Sequence, residues 1–354
     1  MSVRSKLWEH RSRIYPLVLV AAMFAVWWYR QEFPSETQKA FDQRALVTLT
    51  GTTFGTVTYN IQYLDPQQRN FKPQIDSVLQ RFNESLSTYL PNSEISRFNQ
   101  EGLIKFKLPF FYPVLEASYQ VYQQTDGAFD PTVGPLIDAW GFGPEAPVYP
   151  DSSLVDSLLQ FVSFDSVFFD SESVCRLQEG IELSFSAIAK GQGVDVVADF
   201  VRKQGIQNLF VEIGGEIVAS GLFIQEKPWV IGIEDPTAEL ENRRPVVRVK
   251  LQDRGVATSG NYRNFYERDG KRYAHTLDPN SGYPVEHSLL SATVFAETCM
   301  LADAYATAFM VMGTEPTKSF LQRHPELDAI LIYDDGKNAL STYYTDGIRS
   351  AVLE

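Results

Sequence analysis

The sequence predicts an α+β fold, and three observations carry the prediction. Period-2 strand patterns and 3.6-period helical patterns are both present. They follow one another without a regular βαβ rhythm. Several strand patterns come in pairs about a Gly-Gly or Asp-Gly turn. With 354 residues the chain is long enough for one large domain or two ordinary ones around a substantial core. No internal repeat or low-complexity tract interrupts it. A net charge of -13 argues against non-specific nucleic-acid binding. Cys175 and Cys299 lie far apart and in no CxxC or Cys/His pattern, so zinc and disulfide-scaffold readings are poor, and a single bridge stays open.

The N-terminus carries topology. Residues 1–13, MSVRSKLWEHRSR, are a basic cytoplasmic tail. Residues 14–29 are uncharged and largely apolar, a little short of the ~20 residues of a membrane span, with Arg13 and Arg30 placed to snorkel at its ends. The segment closes on Val26-Trp27-Trp28-Tyr29, an interfacial aromatic belt rather than a small-residue cleavage site. No cysteine follows it to take a lipoprotein anchor. The expectation is an uncleaved single-pass anchor with the rest of the chain exported, a polar linker over 30–45 and one catalytic domain over 46–354.

Within that domain, Val47 to Tyr63 alternates as strands do around a Gly51/Gly55 break. Gln74 to Tyr89 has helical spacing (Ile75, Val78, Leu79, Phe82, Leu86) and ends at Pro91-Asn92. A second helix spans Val114 to Thr125. TDGAFDPTVGPLIDAWGFGP packs glycine, proline and acid too densely for regular structure and reads as a buried functional loop, and Pro144 to Pro150 as a surface connection. Short strands flank an acidic turn between Asp165 and Leu183. From Leu183 an apolar strand breaks into small residues and then becomes a helix, with Val194, Val197, Ala198 and Val201 on one buried face and Gly205 as its stop. LFVEIGGEIVASGLF is a strand pair about Gly214-Gly215; WVIGIED and VVRVKLQD continue the sheet. Asp269-Gly270 signals a hairpin, and Ser288 to Ala296 a strand. Thr298 caps a helix that Gly313 closes. Asp328 to Tyr333 and Ala339 to Thr345 form a last hairpin.

Two of these segments carry chemistry. In the turn Ala-Lys-Gly-Gln-Gly, Lys190 meets bare backbone and the positive end of a helix, where an anion can approach. In the helix after Thr298, Asp303 and Thr307 are four apart and share a face. A carboxylate on so apolar a helix needs a partner: either an arginine such as Arg263, or a hard cation. Magnesium takes oxygen ligands and needs few carboxylates, so Asp303, the Thr307 hydroxyl and a carbonyl at Ala187 would meet its demand.

Taken together and in order, STYLPNSEISRFN, TDGAFDPTVGPLIDAWGFGP, AIAKGQGVD, the Gly-Gly strand break, GVATSGNYRNF, HTLDPNSGYPVEH and LADAYATAFMVMG resemble the ApbE-type FAD:protein FMN transferases, from about Thr53 to Gly313. The resemblance implies cleavage of the FAD diphosphate, attachment of FMN through a phosphoester to a Thr or Ser hydroxyl of a partner protein, and release of AMP. A Mg2+-dependent FAD pyrophosphatase is the alternative. The family pattern puts Mg2+ on Ala187, Asp303 and Thr307, and FAD contacts on Phe54, Tyr89, Ala128, Phe129, Asp130, Ser184, Lys190 and Leu277. Phe54 stands where the family usually has Met, and Ser184 where Asp is frequent. His275, beside the LDP turn, is the implied base for the acceptor hydroxyl, with a hydrogen-bonding turn residue as its plainer reading. Tyr89 and Phe129 can equally be core aromatics. The implied acceptors are subunits of membrane redox complexes, sodium-pumping quinone reductases and Rnf-type complexes, with the enzyme held to the bacterial inner membrane and its catalytic domain in the periplasm.

Overall fold

The computed structural model describes residues 23–24, 27–28, 45–142, 150–238, 244–260, 265–268, 271–274, 276–336 and 339–353. The tail at 1–13 and all of the linker but Ala45 lie outside these residues; of the expected anchor at 14–29 only Met23, Phe24, Trp27 and Trp28 are described, as helical. Among the described residues no helix is long and apolar enough to cross a membrane. The surface connection expected from Pro144 lies outside them up to Tyr149.

The domain opens with the hairpin β1 (Leu46–Thr53) and β2 (Val57–Leu64). Phe54 and Gly55 have φ of 48° and 83°, so the chain reverses there. Gly51, expected to break the strand, stays in the ladder opposite Tyr59 because the Tyr59 ring fills the space a side chain there would need. Helix α1 (Lys72–Leu86) buries Ile75, Leu79, Phe82 and Leu86. It stops short of Tyr89 because Ser87 turns extended and gives its carbonyl to Ser93 Oγ at 2.7 Å. Ser93 then caps a helix the sequence pattern did not announce, α2 (Glu94–Glu101), by accepting from the Ser96 amide. After β3 (Leu103–Lys105), helix α3 (Phe111–Gln124) starts a turn earlier than its periodicity suggests. The segment expected to be irregular contains one short helix, α4 (Gly134–Ala139), behind a buried loop. Helix α5 (Ser152–Leu159) and strands β4 (Val167–Phe169) and β5 (Ser173–Arg176) follow, and β3, β5 and β4 make a small sheet.

The apolar stretch at 181–185 is not a strand. The side chain of Asn99 takes its place in a ladder, donating to the Leu183 carbonyl at 3.0 Å and accepting from the Leu183 amide at 2.8 Å. Helix α6 (Ala189–Lys203) begins before the glycines, so Lys190, Gly191 and Gly193 lie in its first turns rather than ahead of it. Its apolar face is the expected one, with Val194, Val197, Ala198 and Val201 buried, and Gly205 follows with φ of 85°.

Strands β6 (Leu209–Ile213) and β7 (Glu216–Ser220) pair across Gly214-Gly215. Strands β8 (Trp229–Glu234) and β9 (Pro245–Leu251) pair with each other but do not continue that sheet. Next come β10 (Arg254–Gly260), the hairpin β11 (Phe265–Arg268) and β12 (Lys271–Ala274), and β13 (Leu289–Ala296). Helix α7 (Cys299–Met312), capped by Thr298 and closed at Gly313, precedes α8 (Thr314–Arg323), β14 (Asp328–Asp334), β15 (Leu340–Tyr344), α9 (Asp346–Arg349) and β16 (Val352–Leu353).

Eight strands form one antiparallel sheet in the order β1-β2-β6-β7-β10-β13-β14-β15. Side chains alternate across it, so both faces must be covered. Val218, Ala257, Val294 and Leu331 face the helices, while Ala219, Val256, Phe295 and Ile330 face β8, β9 and β16, which form a second sheet in the order β16-β9-β8. This opposite face explains why the β8–β9 pair could not extend the main sheet: Trp229, Ile231, Val249 and Leu251 are consumed in packing against it. The result is three layers, helices on a large sheet on a small sheet. Cys175 and Cys299 are both free thiols.

Candidate active site

The site forms where α6, α7 and the ends of β7 and β10 converge on the helical side of the large sheet. A cavity of about 430 Å³ opens there, and Ala187, Lys190, Glu216, Ser259, Asp303 and Thr307 are in its wall. The loop at 128–131 and the segment at 276–279 supply the opposite wall. Just beyond these two segments in the chain, Trp140 Nε1 donates to the Gly282 carbonyl at 2.9 Å.

Lys190 is the electrostatic centre. Its ammonium lies 2.7 Å from Glu216 Oε1 and 3.5 Å from Asp303 Oδ1. Burial works to lower the lysine, but the two carboxylates overcome it and hold Lys190 above the ordinary lysine value. Burial pushes Glu216 up to about 7; Lys190 pulls the other way, and the negative Asp303 adds to the rise. The Asp303 carboxylate is only 3 % exposed. Its Oδ2 accepts from the Gly191 amide at 3.0 Å, one of the first-turn donors that a helix cannot pair internally. Thr307 Oγ1 lies 3.3 Å from Ser259 Oγ.

One ammonium against two buried carboxylates leaves the pocket short of positive charge, and Glu216 Oε2 has no hydrogen-bond partner within the protein. Excess buried negative charge is costly unless a proton or a cation compensates it. The available donors are all oxygens, and no cluster of three His, Cys, Asp or Glu side chains exists among the described residues. That set excludes a zinc-type cage and suits a hard ion bound through few carboxylates. Among the described residues the charged partner of Asp303 is the Lys190 ammonium; Arg263 lies outside them.

A second cavity, of about 690 Å³, adjoins the first and shares Ser186 and Lys190 with it. Phe54, Phe82, Tyr89, Phe185 and Ala189 contribute to its wall. Phe54, on its positive-φ turn, lies against Phe82 with ring centroids 5.6 Å apart. The residues singled out in the sequence therefore divide between two adjoining lobes. Phe54 and Tyr89 line the second; Ala128, Phe129, Asp130, Ser184, Ala187, Leu277, Asp303 and Thr307 line the first, and Lys190 belongs to both. The two ambiguous aromatics separate: Phe129 is 2 % exposed in the core, and Tyr89 is 76 % exposed. Asp130 folds its own loop, accepting from the Thr132 amide and hydroxyl, and burial raises its carboxyl. Ser184 Oγ donates to Ser186 Oγ at 3.3 Å. His275 lies outside the described residues. Glu216 escaped the sequence reading; its one signal is an acid directly after the Gly-Gly break, at the head of a strand whose alternate positions are buried.

The chain superposes on the flavin transferase ApbE from Vibrio cholerae with a TM-score of 0.76 at 35% identity, covering 86% of this chain and 99% of that one. It matches the apo form of the Pseudomonas stutzeri flavinyl transferase ApbE with a TM-score of 0.76 at 32% identity, over 86% and 96% of the two chains. The ApbE family profile matches residues 51–331, and the chain belongs to that family. Its sequence is 39% identical over 280 residues to a Vibrio cholerae protein named FAD:protein FMN transferase, covering 76% of this chain and 82% of that protein. An Escherichia coli K12 protein of the same name is 34% identical over 321 residues, 86% and 88% of the two chains.

Proposed function

We propose that this chain transfers the FMN moiety of FAD to a Thr or Ser hydroxyl of a partner protein, with Mg2+ as cofactor and AMP as the second product. The observation that carries the reading is the placement of Lys190 at the join of two lobes, beside Asp303, Thr307 and Ala187. A dinucleotide spanning both lobes would bring its diphosphate to that ammonium.

In the reaction the acceptor oxygen bonds to the FMN phosphorus while the bond to the bridging oxygen breaks; that oxygen leaves with AMP, and the hydroxyl proton passes to a base. Phosphoryl transfer depends on positioning and on neutralising charge at the phosphate oxygens. Lys190, held charged by Glu216 and Asp303, supplies one fixed positive charge. Ala187 through its carbonyl, Asp303 and Thr307 would hold the Mg2+. The ion, when bound, would add charge neutralisation and lower the acceptor hydroxyl pKa. Phe54 and Tyr89 offer ring faces to a planar group in the second lobe. His275 is the proposed base. The partners proposed are subunits of membrane redox complexes of the sodium-pumping quinone reductase and Rnf types. The apolar run at 14–29 with its basic flank supports an inner-membrane anchor and a periplasmic domain.

Incubation with FAD, Mg2+ and an acceptor domain tests the reading. The acceptor is expected to gain the mass of one FMN and to fluoresce on a denaturing gel, while Asp303→Ala keeps FAD binding and loses transfer. Free FMN and AMP with unmodified acceptor would instead establish the pyrophosphatase.

A further inference from the structure

Helices α6 and α7 clasp each other through their open ends. The Gly191 amide of α6 donates to Asp303 Oδ2 of α7 at 3.0 Å. The Cys299 and Met300 amides of α7 donate to Asp195 Oδ1 and Oδ2 of α6 at 3.0 and 2.8 Å. Gly191 and Asp195 are four residues apart, as are Cys299 and Asp303. Each carboxylate therefore lies one turn inside its own helix and reaches the unpaired donors of the other. With Thr298 Oγ1 accepting from Leu301, the first three amides of α7 all end on side chains.

The clasp has no slack. A Cβ on Gly191 would lie 2.3 Å from the Cys299 carbonyl oxygen, and one on Gly255 of β10 would lie 2.2 Å from the Cys299 nitrogen. The first turn of α7 is thus gripped by Asp195, by bare backbone of α6 and by bare backbone of β10. One turn further on, Asp303 has one oxygen committed to Gly191, and only Oδ1 is left to face Lys190 and the cavity. Asp195 is absent from the wall of that cavity and borders a separate recess with Asp199 and Arg202.

We propose that Asp195 is a positioning residue for the cation-binding carboxylate: by holding the first turn of α7 it sets where Asp303 Oδ1 stands. The inference rests on the transferase reading above. Burial pushes the Asp195 carboxyl up to about 7 against the pull of its two amide donors, with Asp199 raising it and Arg202 lowering it. Both oxygens accept from amide donors, as the ionised form does, and pH 8 lies on the side of that value which favours it.

Asp195→Asn keeps the shape but offers one acceptor oxygen, and turns an NH2 toward an amide donor. The full chain is assayed at pH 8. The expected result is a KM for Mg2+ raised about tenfold, as for loss of a group that orients a metal ligand. Transfer at saturating Mg2+ should stay within about threefold of wild type, and FAD affinity should not move. Mn2+ titration followed by electron paramagnetic resonance should show the same weakening without turnover. A variant that melts earlier but keeps the wild-type cation dependence would reduce Asp195 to a structural cap and overturn the proposal. If Asp195→Asn does not fold, Asp195→Glu keeps the charge and pushes α7 by one methylene; an unaltered cation dependence there overturns it equally. A wild-type chain that transfers no FMN refutes the transferase reading, while the Mn2+ comparison still decides this one.

Discussion

Glu216 shows what a single side chain does in this site. It is nearly as buried as Asp303, its Oε1 grips Lys190 at 2.7 Å, and its other oxygen has no partner within the protein. Glu216→Gln would keep a hydrogen-bond acceptor for Lys190 and remove the charge, leaving the ammonium free to settle on Asp303. Supporting residues of this kind typically contribute about 10–100-fold to activity. Initial rates of FMN transfer are therefore expected to fall by that order, while the far-ultraviolet circular dichroism spectrum stays that of wild type. The sequence exposed Ala187, Lys190, Asp303 and Thr307 because each lies in a local pattern, a small-residue turn or an i, i+4 helical pair. Glu216 and Asp195 gave no such signal. Their partners are 26 and 104 residues away, at Lys190 and Cys299, and only the tertiary fold brings them together.

Among the elements, α1 and α6 were legible from their apolar stripes, α7 from its Thr298 cap and Gly313 stop, and the strand pairs β6–β7 and β11–β12 from the Gly-Gly and Asp-Gly turn signals between them. Helix α2 was not. It is eight residues long, mostly polar, and depends on a Ser93 cap and a buried Glu94 that accepts from the Lys107 and Leu108 amides. The stretch at 181–185 misled for the converse reason: it has a strand's composition, but its partner is the side chain of Asn99. The α6–α7 contact makes its own prediction. Gly191→Ala would drive a methyl into backbone that cannot give way cheaply, and such overpacking costs about 1–3 kcal/mol. Urea denaturation should register that loss. Gly134→Ala serves as control, since a Cβ there meets nothing nearer than 3.9 Å.

At the scale of the whole molecule, the α+β class followed from the mixed periodicities, but the layering did not. Whether a Val-rich strand pair extends a sheet or covers its far face depends on packing between residues distant in sequence. Two lobes walled by different helices and loops also mean that a dinucleotide would tie α1, α6, α7 and the 128–131 loop together. Binding to the folded state alone stabilises it by about 2.7 kcal/mol at a hundredfold excess over Kd. For a domain of this size that corresponds to a rise in Tm on the order of 5 °C. Differential scanning calorimetry with FAD and Mg2+ should show it, and a chelator should remove the part that depends on the cation.

Lys190 stands in the wall of both lobes, and that shared position bears on how the enzyme would let go. On the transferase reading, an intact dinucleotide presents its paired phosphates to one ammonium as a single anion. Once the bridge between them is cut, the phosphate of AMP and the new phosphodiester on the acceptor are separate anions that compete for the same counter-charge and repel each other across it. Cleavage itself would then loosen the hold on both halves, and turnover would reset without a dedicated moving part.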